Sequence, residues 1–234
     1  MKKVLYQFGF ILLLSAASIQ AQNLPGLEVN QHVISYVPTV NQMFDDNVII
    51  QGTPFVHNQW NTGSVVTSSG NEIADVQMKF EGYSNLLVII YNNDSLAVRP
   101  EMVQEFAYMH NGEEYRFRNT YIAPEVEVLR NYYIRVLHEN EQGWSLFADM
   151  GKRFQRAEPP GPYEVERKEN AFLDNTRFLV RSPQGEWSEL RASRRAVTRL
   201  FGDKGRDVRS FARSENLSFN QPGDLARMFE FVNR

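Results

Sequence analysis

Asn111 and Gly112 stand between two β-prone runs, VQEFAYMH and EEYRFRN, and this junction constrains the fold more than any other feature of the chain. A two-residue type I′ hairpin needs positive φ at both central residues, and Asn followed by Gly meets that need at least cost. The second run alternates: Tyr115 and Phe117 share one face, Arg116 and Arg118 the other. Such a pair of strands is antiparallel, with one side in a core and one in water.

The same punctuation recurs along the chain. SVVT gives way to SSGNE and then to IADVQMKF, with Gly70 and Asn71 as the turn. LLVIIY, from Leu86 to Tyr91, is a continuous apolar run of strand length, which predicts burial on both faces. NNDS turns the chain into LAVRP, and YYIRVLHEN pairs with WSLFADMGKRF through ENEQG. In the latter strand Trp144, Leu146, Ala148 and Met150 fall on one side by period two. RFLVRS and EWSELRA flank Pro183-Gln184-Gly185 and predict one more hairpin.

The end of the chain changes period. Ser193 is placed to cap a helix with Ala196, Val197 and Leu200 on its apolar side, ended by Phe201 and Gly202. Asp203 is placed to cap a second, bearing Val208, Phe211 and Ala212. A third begins near Pro222, with Leu225, Met228, Phe229 and Val232 at i, i+3, i+4 and i+7. The expected fold is therefore α+β and mainly β: an antiparallel meander, as an open sheet or partly closed barrel, with a small C-terminal helical subdomain. Its parts are a β domain over 48–155, a linker over 156–170 stiffened by Pro159, Pro160 and Pro162, a hairpin over 171–191 and helices over 192–234. A polar lead segment covers 22–47, with one short strand near His32 to Val37.

Residues 1–21 read as a secretory signal peptide: Lys2 and Lys3, a short apolar run, then small residues, with cleavage expected after Ala21 and Ala17 as the alternative. No second long apolar run follows, so no transmembrane segment is expected in the mature chain. The chain has no cysteine, which excludes disulfides, thiol catalysis, cysteine-bound zinc and a lipid-anchored lipoprotein. Charge is uneven, with 6 Lys and Arg against 16 Asp and Glu over 22–150, but 17 against 12 over 151–234.

Catalytic patterns are sparse. The histidines His32, His57, His110 and His138 show no metal-binding spacing, and neither a GxSxG elbow, a phosphate loop nor a dinucleotide fingerprint occurs, so no metal or cofactor is expected. His138 neighbours Glu139, and Asp149 falls on the next strand. These histidines read first as structural and second, through His57, His138 and Asp149, as a dispersed hydrolase site. Trp60, Trp144 and Trp187 read first as core and hairpin packing and second as a sugar-stacking face. Between Arg191 and Arg213 there are eight basic residues and two acidic ones. Arg194, Arg195 and Arg199 avoid the apolar side of the first helix, and Arg206, Arg209 and Arg213 flank that of the second. Such a run reads first as a solvated face and second as a docking face for an anionic lipid or lipopolysaccharide surface or an acidic envelope protein. Nucleic acid is not expected, because no aromatic residues interleave on the basic side.

Four stretches, QGTPFVHNQWNTGSVVTSSGN, LAVRPEMVQEF, GKRFQRAEPPGPY and RLFGDKGRDVRSFARSENLSFNQPGDLARMFEFVN, resemble a family of secreted proteins of Gram-negative bacteria to which no activity is assigned. The resemblance runs from Gln51 to the C-terminus. It implies a periplasmic or outer-membrane-associated location and transfers no catalytic residue. The resulting expectation is a non-enzymatic envelope binding or scaffolding protein. A hydrolase and an outer-membrane β-barrel are the alternatives. The barrel is opposed by Glu105, Arg116, Arg118 and Arg135 on predicted strands.

Overall fold

A computed structural model describes residues 33–34, 50–120, 133–157 and 169–234. The expected signal peptide, His32, most of the lead segment and most of the proline-rich linker lie outside the described residues.

Strands dominate. Their ranges are β1 Val33–Ile34, β2 Ile50–Gln51, β3 Asn61–Thr67, β4 Glu72–Glu81, β5 Leu86–Tyr91, β6 Asp94–Val98, β7 Val103–His110, β8 Glu113–Asn119, β9 Tyr133–His138, β10 Ser145–Gln155, β11 Asn170–Arg181 and β12 Trp187–Leu190. They form one sheet in the order β1-β6-β5-β4-β3-β7-β8-β9-β10-β11-β12, with β2 added in parallel to β11. The path is open, with β1 and β12 at its ends. A membrane-spanning barrel needs a closed wall of strands. Among the described residues no helix is long and apolar enough to cross a membrane.

Local chemistry explains the meander. Asn111 and Gly112 have φ of 51° and 80°, the type I′ pair that the sequence predicts, and they join His110 to Glu113. Asn92 and Asn93, with φ of 50° and 67°, make an equivalent turn between Tyr91 and Asp94. Asp75, at φ 58°, sits in a bulge where the β3–β4 register shifts between Gly63 and Val65. The hairpin expected over 171–191 is continuous with the meander, since β11 pairs with β10 from Ser145↔Arg181 through Gln155↔Ala171.

The sheet curls around its first core, in which Met78, Phe80, Leu87, Phe106, Tyr108, Phe117 and Tyr133 are buried. Fully burying a side chain of this size contributes about 1.5–3 kcal/mol. The curl brings the β4–β5 turn against β9 and β10. Tyr133 N–H donates to Asn85 Oδ1 at 2.7 Å, and Lys152 N–H donates to the Gly82 carbonyl at 3.0 Å. Gly82 permits this approach, because a Cβ there would stand 2.6 Å from the Met150 carbonyl oxygen.

A second core joins the sheet to three helices, α1 Arg194–Leu200, α2 Gly205–Ser214 and α3 Pro222–Val232. Leu146, Ala148, Phe178 and Val180 meet Val197, Val208, Leu225, Met228 and Phe229 there. Ser193 caps α1 by accepting from Ala196 N–H, as its position predicts. Asp203 does not cap α2. A 3-10 turn over Gly202–Lys204 runs directly into that helix, and Lys204, at φ −71° and ψ −11°, is already helical. No extended residue is left from which a side chain can reach back to the first turn.

Candidate functional site

The expected hydrolase residues do not meet. His138 pairs with Leu146 across β9 and β10, on the face that receives the helices. There its Nε2 accepts from Asn233 Nδ2 at 2.7 Å, while Asn233 Oδ1 accepts from Trp144 N–H at 3.0 Å. Burial lowers the His138 pKa, and the ring fastens the end of α3 to β9. Asp149 lies on the opposite face, with Phe147, and accepts from Arg177 Nη2 at 2.6 Å. The sheet separates the two, so no His138–Asp149 hydrogen bond forms.

His57 instead joins a cluster at the β7–β8 hairpin. Its ring stacks on His110 at 3.7 Å, meets the Tyr115 ring edge-on at 4.4 Å, and shares a 3.1 Å hydrogen bond between Nδ1 and the Tyr108 hydroxyl. His110 Nδ1 lies 3.0 Å from Asn61 Oδ1, and Asn111 Nδ2 lies 3.2 Å from His110 Nε2. Arg135, only 4% exposed, lies over the Tyr115 ring at 3.6 Å and donates through Nη2 to Glu113 at 2.6 Å and to the Glu114 carbonyl at 3.1 Å. The spacing of His57 and His110 gives no local signal; the pairing of β3 with β7 sets the segment before β3 beside the end of β7. Among the described residues no group of three His, Asp or Glu is placed to hold a metal ion.

The environment of His57 sets a pH response. Burial first, then the charges of His110, Arg135 and Lys152, lower its pKa from 6.5 to about 4. Between those values the unfolded chain binds a proton that the folded chain refuses, so stability falls as pH drops from 6.5 toward 4 and is unaffected by this group above 6.5. For a half-buried ring the contribution is about 1–2 kcal/mol. Urea unfolding at pH 4.5 and pH 7.5 is expected to show a smaller acid loss in His57→Gln than in the natural chain. Equal losses would mean that the ring titrates normally.

The arginine-rich helices behave differently from the histidines. All six predicted residues, Arg194, Arg195, Arg199, Arg206, Arg209 and Arg213, are exposed. Among the described residues none of them forms an ion pair, whereas Arg227 pairs with Glu215 at 2.7 Å and Arg234 with Glu230 at 2.7 Å. Three of the six converge. Arg194, Arg209 and Arg213 line one cavity of about 460 Å³ with Ala212, Asn216, Leu217 and Phe219, and among the described residues no carboxylate lines it. Arg195, Arg199 and Arg206 stand outside that lining.

The end of α2 builds this cavity. Asn216 takes a left-handed conformation at φ 55°, and Leu217 N–H returns to the Ala212 carbonyl at 2.8 Å. This is the 6→1 closure of a Schellman motif, with Asn in the place usually held by Gly. The loop that follows carries Leu217, which is buried, and Phe219, whose ring lies 5.9 Å from the Arg194 guanidinium. Ser218 N–H donates to Asp224 at 2.8 Å and fixes the loop to α3. Comparison of the chain with family models, with curated proteins and with solved structures returns no match.

Proposed function

We propose that this chain is a secreted, non-enzymatic binding module of the cell envelope whose helical subdomain holds a phosphate-bearing anion of a lipid surface. One observation carries the reading: three guanidiniums without an ion pair among the described residues, Arg194, Arg209 and Arg213, converge on one cavity that no described carboxylate lines. Guanidinium forks suit phosphate, since two parallel N–H donors match two oxygens. Leu217 and Phe219 add an apolar floor beside the charges, which fits an amphiphile better than a small inorganic anion. The amino-terminal pattern over 1–21 and the secreted-family resemblance support an envelope location.

The test compares two triple variants of equal charge change in co-sedimentation with phosphatidylglycerol-containing vesicles. Basic residues at an anionic membrane contribute about 1 kcal/mol each, so Arg194→Gln, Arg209→Gln and Arg213→Gln together are expected to weaken binding about a hundredfold. The control triple of Arg195→Gln, Arg199→Gln and Arg206→Gln is expected to weaken it less than about tenfold. Equal losses would reduce the stretch to a diffuse solvated face, and no vesicle binding by the natural chain would overturn the lipid reading. Capture by an acidic protein surface without vesicle binding would overturn it too.

A further inference from the structure

The sheet face opposite the helices carries a second cavity, of about 530 Å³, built on different chemistry. Register places its parts. Arg118 pairs with Ile134 across β8 and β9, and Arg181 pairs with Trp187 across β11 and β12. Ile134 and Phe147 are each 1% exposed, so the floor is an extension of packed core. The Trp187 indole lies on the Phe147 ring at 4.7 Å with an interplanar angle of 34°. One indole face is thus backed by Phe147, and Trp187 itself lines the cavity.

The walls are fixed as well. Ser182 Oγ accepts from Gln184 N–H and Glu186 N–H at 3.2 Å each, and Gly185 N–H donates to the Ser182 carbonyl at 2.9 Å. Arg118 Nη2 is oriented by Glu139 at 2.9 Å. Arg181 Nη2, in contrast, makes two long contacts of 3.4 Å among the described residues, to the Asn140 carbonyl and to Ser145 Oγ. Arg181 forms no ion pair among the described residues. Gln184 and Glu141 complete the rim, and both are exposed.

The donor and acceptor balance distinguishes this cavity from the arginine cavity. The helical site offers guanidinium donors and, among the described residues, no carboxylate. Here Arg118 and Arg181 donate, Glu141 accepts, and Gln184 does both. A polyol needs that mixture, because each hydroxyl both donates and accepts. Planar side chains engage neighbouring hydroxyls in pairs, and the C–H face of a pyranose ring lies flat on an aromatic plane. The size falls within the range of small-molecule sites, about 300–1,000 Å³, and the combination of an apolar floor with a few convergent polar groups is their usual composition.

We infer that this cavity is a saccharide subsite, with Trp187 as the stacking platform and Arg181, Glu141 and Gln184 bonding the ring hydroxyls. The inference stands on residues apart from the lipid-facing helices, so the two readings fail separately.

The probes are N,N′-diacetylchitobiose and cellobiose, titrated into the full chain while the three indole Nε1–H resonances are followed by NMR. Variants of Trp60, Trp144 and Trp187 assign the signals. The Trp187 signal is expected to shift saturably with at least one probe, and the other two to stay nearly still. Trp187→Ala is expected to weaken that binding about tenfold or more, with Trp187→Phe retaining part of it. Arg181→Met and Gln184→Ala, both at the rim, are expected to weaken it with the fold intact, which covers the case in which Trp187→Ala unfolds. A Trp187 signal that stays still with both probes would overturn the inference. So would a titration unchanged in the Trp187 and rim variants.

Discussion

Phe229→Ala is expected to lower the stability of the chain by about 3–5 kcal/mol, the range for deleting a buried phenylalanine. Phe229 is fully buried, and its ring meets that of Phe201 edge-on at 4.9 Å. It stands where α3 closes on both the sheet and the loop after α1. The three helices have 7, 10 and 11 residues, too short to hold alone in water. Their stability must come from the sheet, through Leu146, Ala148 and Val180. Met150 packs against both cores, so loss of one is felt in the other. Urea unfolding followed by circular dichroism and by tryptophan fluorescence is therefore expected to show one cooperative transition, displaced in Phe229→Ala by both probes together. Helices that melt early while the sheet midpoint stays fixed would show two independent units.

The second large effect is an inequality. Glu113→Ala is expected to destabilise the chain by about 2–3 kcal/mol, and Arg135→Met by about 1 kcal/mol or less. Arg135 is 4% exposed, and its Nε has no hydrogen-bond partner among the described residues. Its charge is balanced by Glu113, whose side chain is 52% exposed. Removing the carboxylate leaves a buried guanidinium without a counter-charge among the described residues, held by the Glu114 carbonyl and the Tyr115 ring. Removing the guanidinium removes the burial cost as well, and a methionine can keep the contact with the Tyr115 ring. Denaturant midpoints of the two variants and of the double variant measure the pair. If Arg135→Met proves the costlier change, the ion pair stabilises the hairpin beyond what its desolvation costs.

Much of the fold is legible in short-range signals. Asn111-Gly112, the alternation through Trp144, Leu146, Ala148 and Met150, and the stripe of Leu225, Met228, Phe229 and Val232 each fix an element by local sterics or periodicity, and each is realised. Asp203 misleads because capping depends on the conformation of the preceding residue, and a 3-10 turn already supplies a helical one. The candidate sites are less legible. The outer-face placement of the six arginines follows from helical period, but the selection of Arg194, Arg209 and Arg213 depends on the loop that carries Leu217 and Phe219 back under α1. His138 and Asp149 look like neighbours when two strands are read side by side. A register shift between Leu146 and Phe147 and the two-residue alternation of β10 put them on opposite faces. The Trp187 cavity spans residues from Arg118 to Trp187 on five successive strands, a juxtaposition that no window of sequence contains.

Arginine side-chain NMR tests the central claim most directly. The Nε–Hε resonances of the full chain are followed during titration with a short-chain phosphatidylglycerol below its micelle concentration. Arg194, Arg209 and Arg213 are expected to shift together along one saturable curve, with Arg195, Arg199 and Arg206 moving little. Parallel, unsaturated shifts of all six, or no shift in any, would contradict a phosphate-holding cavity and leave the helices as a solvated face.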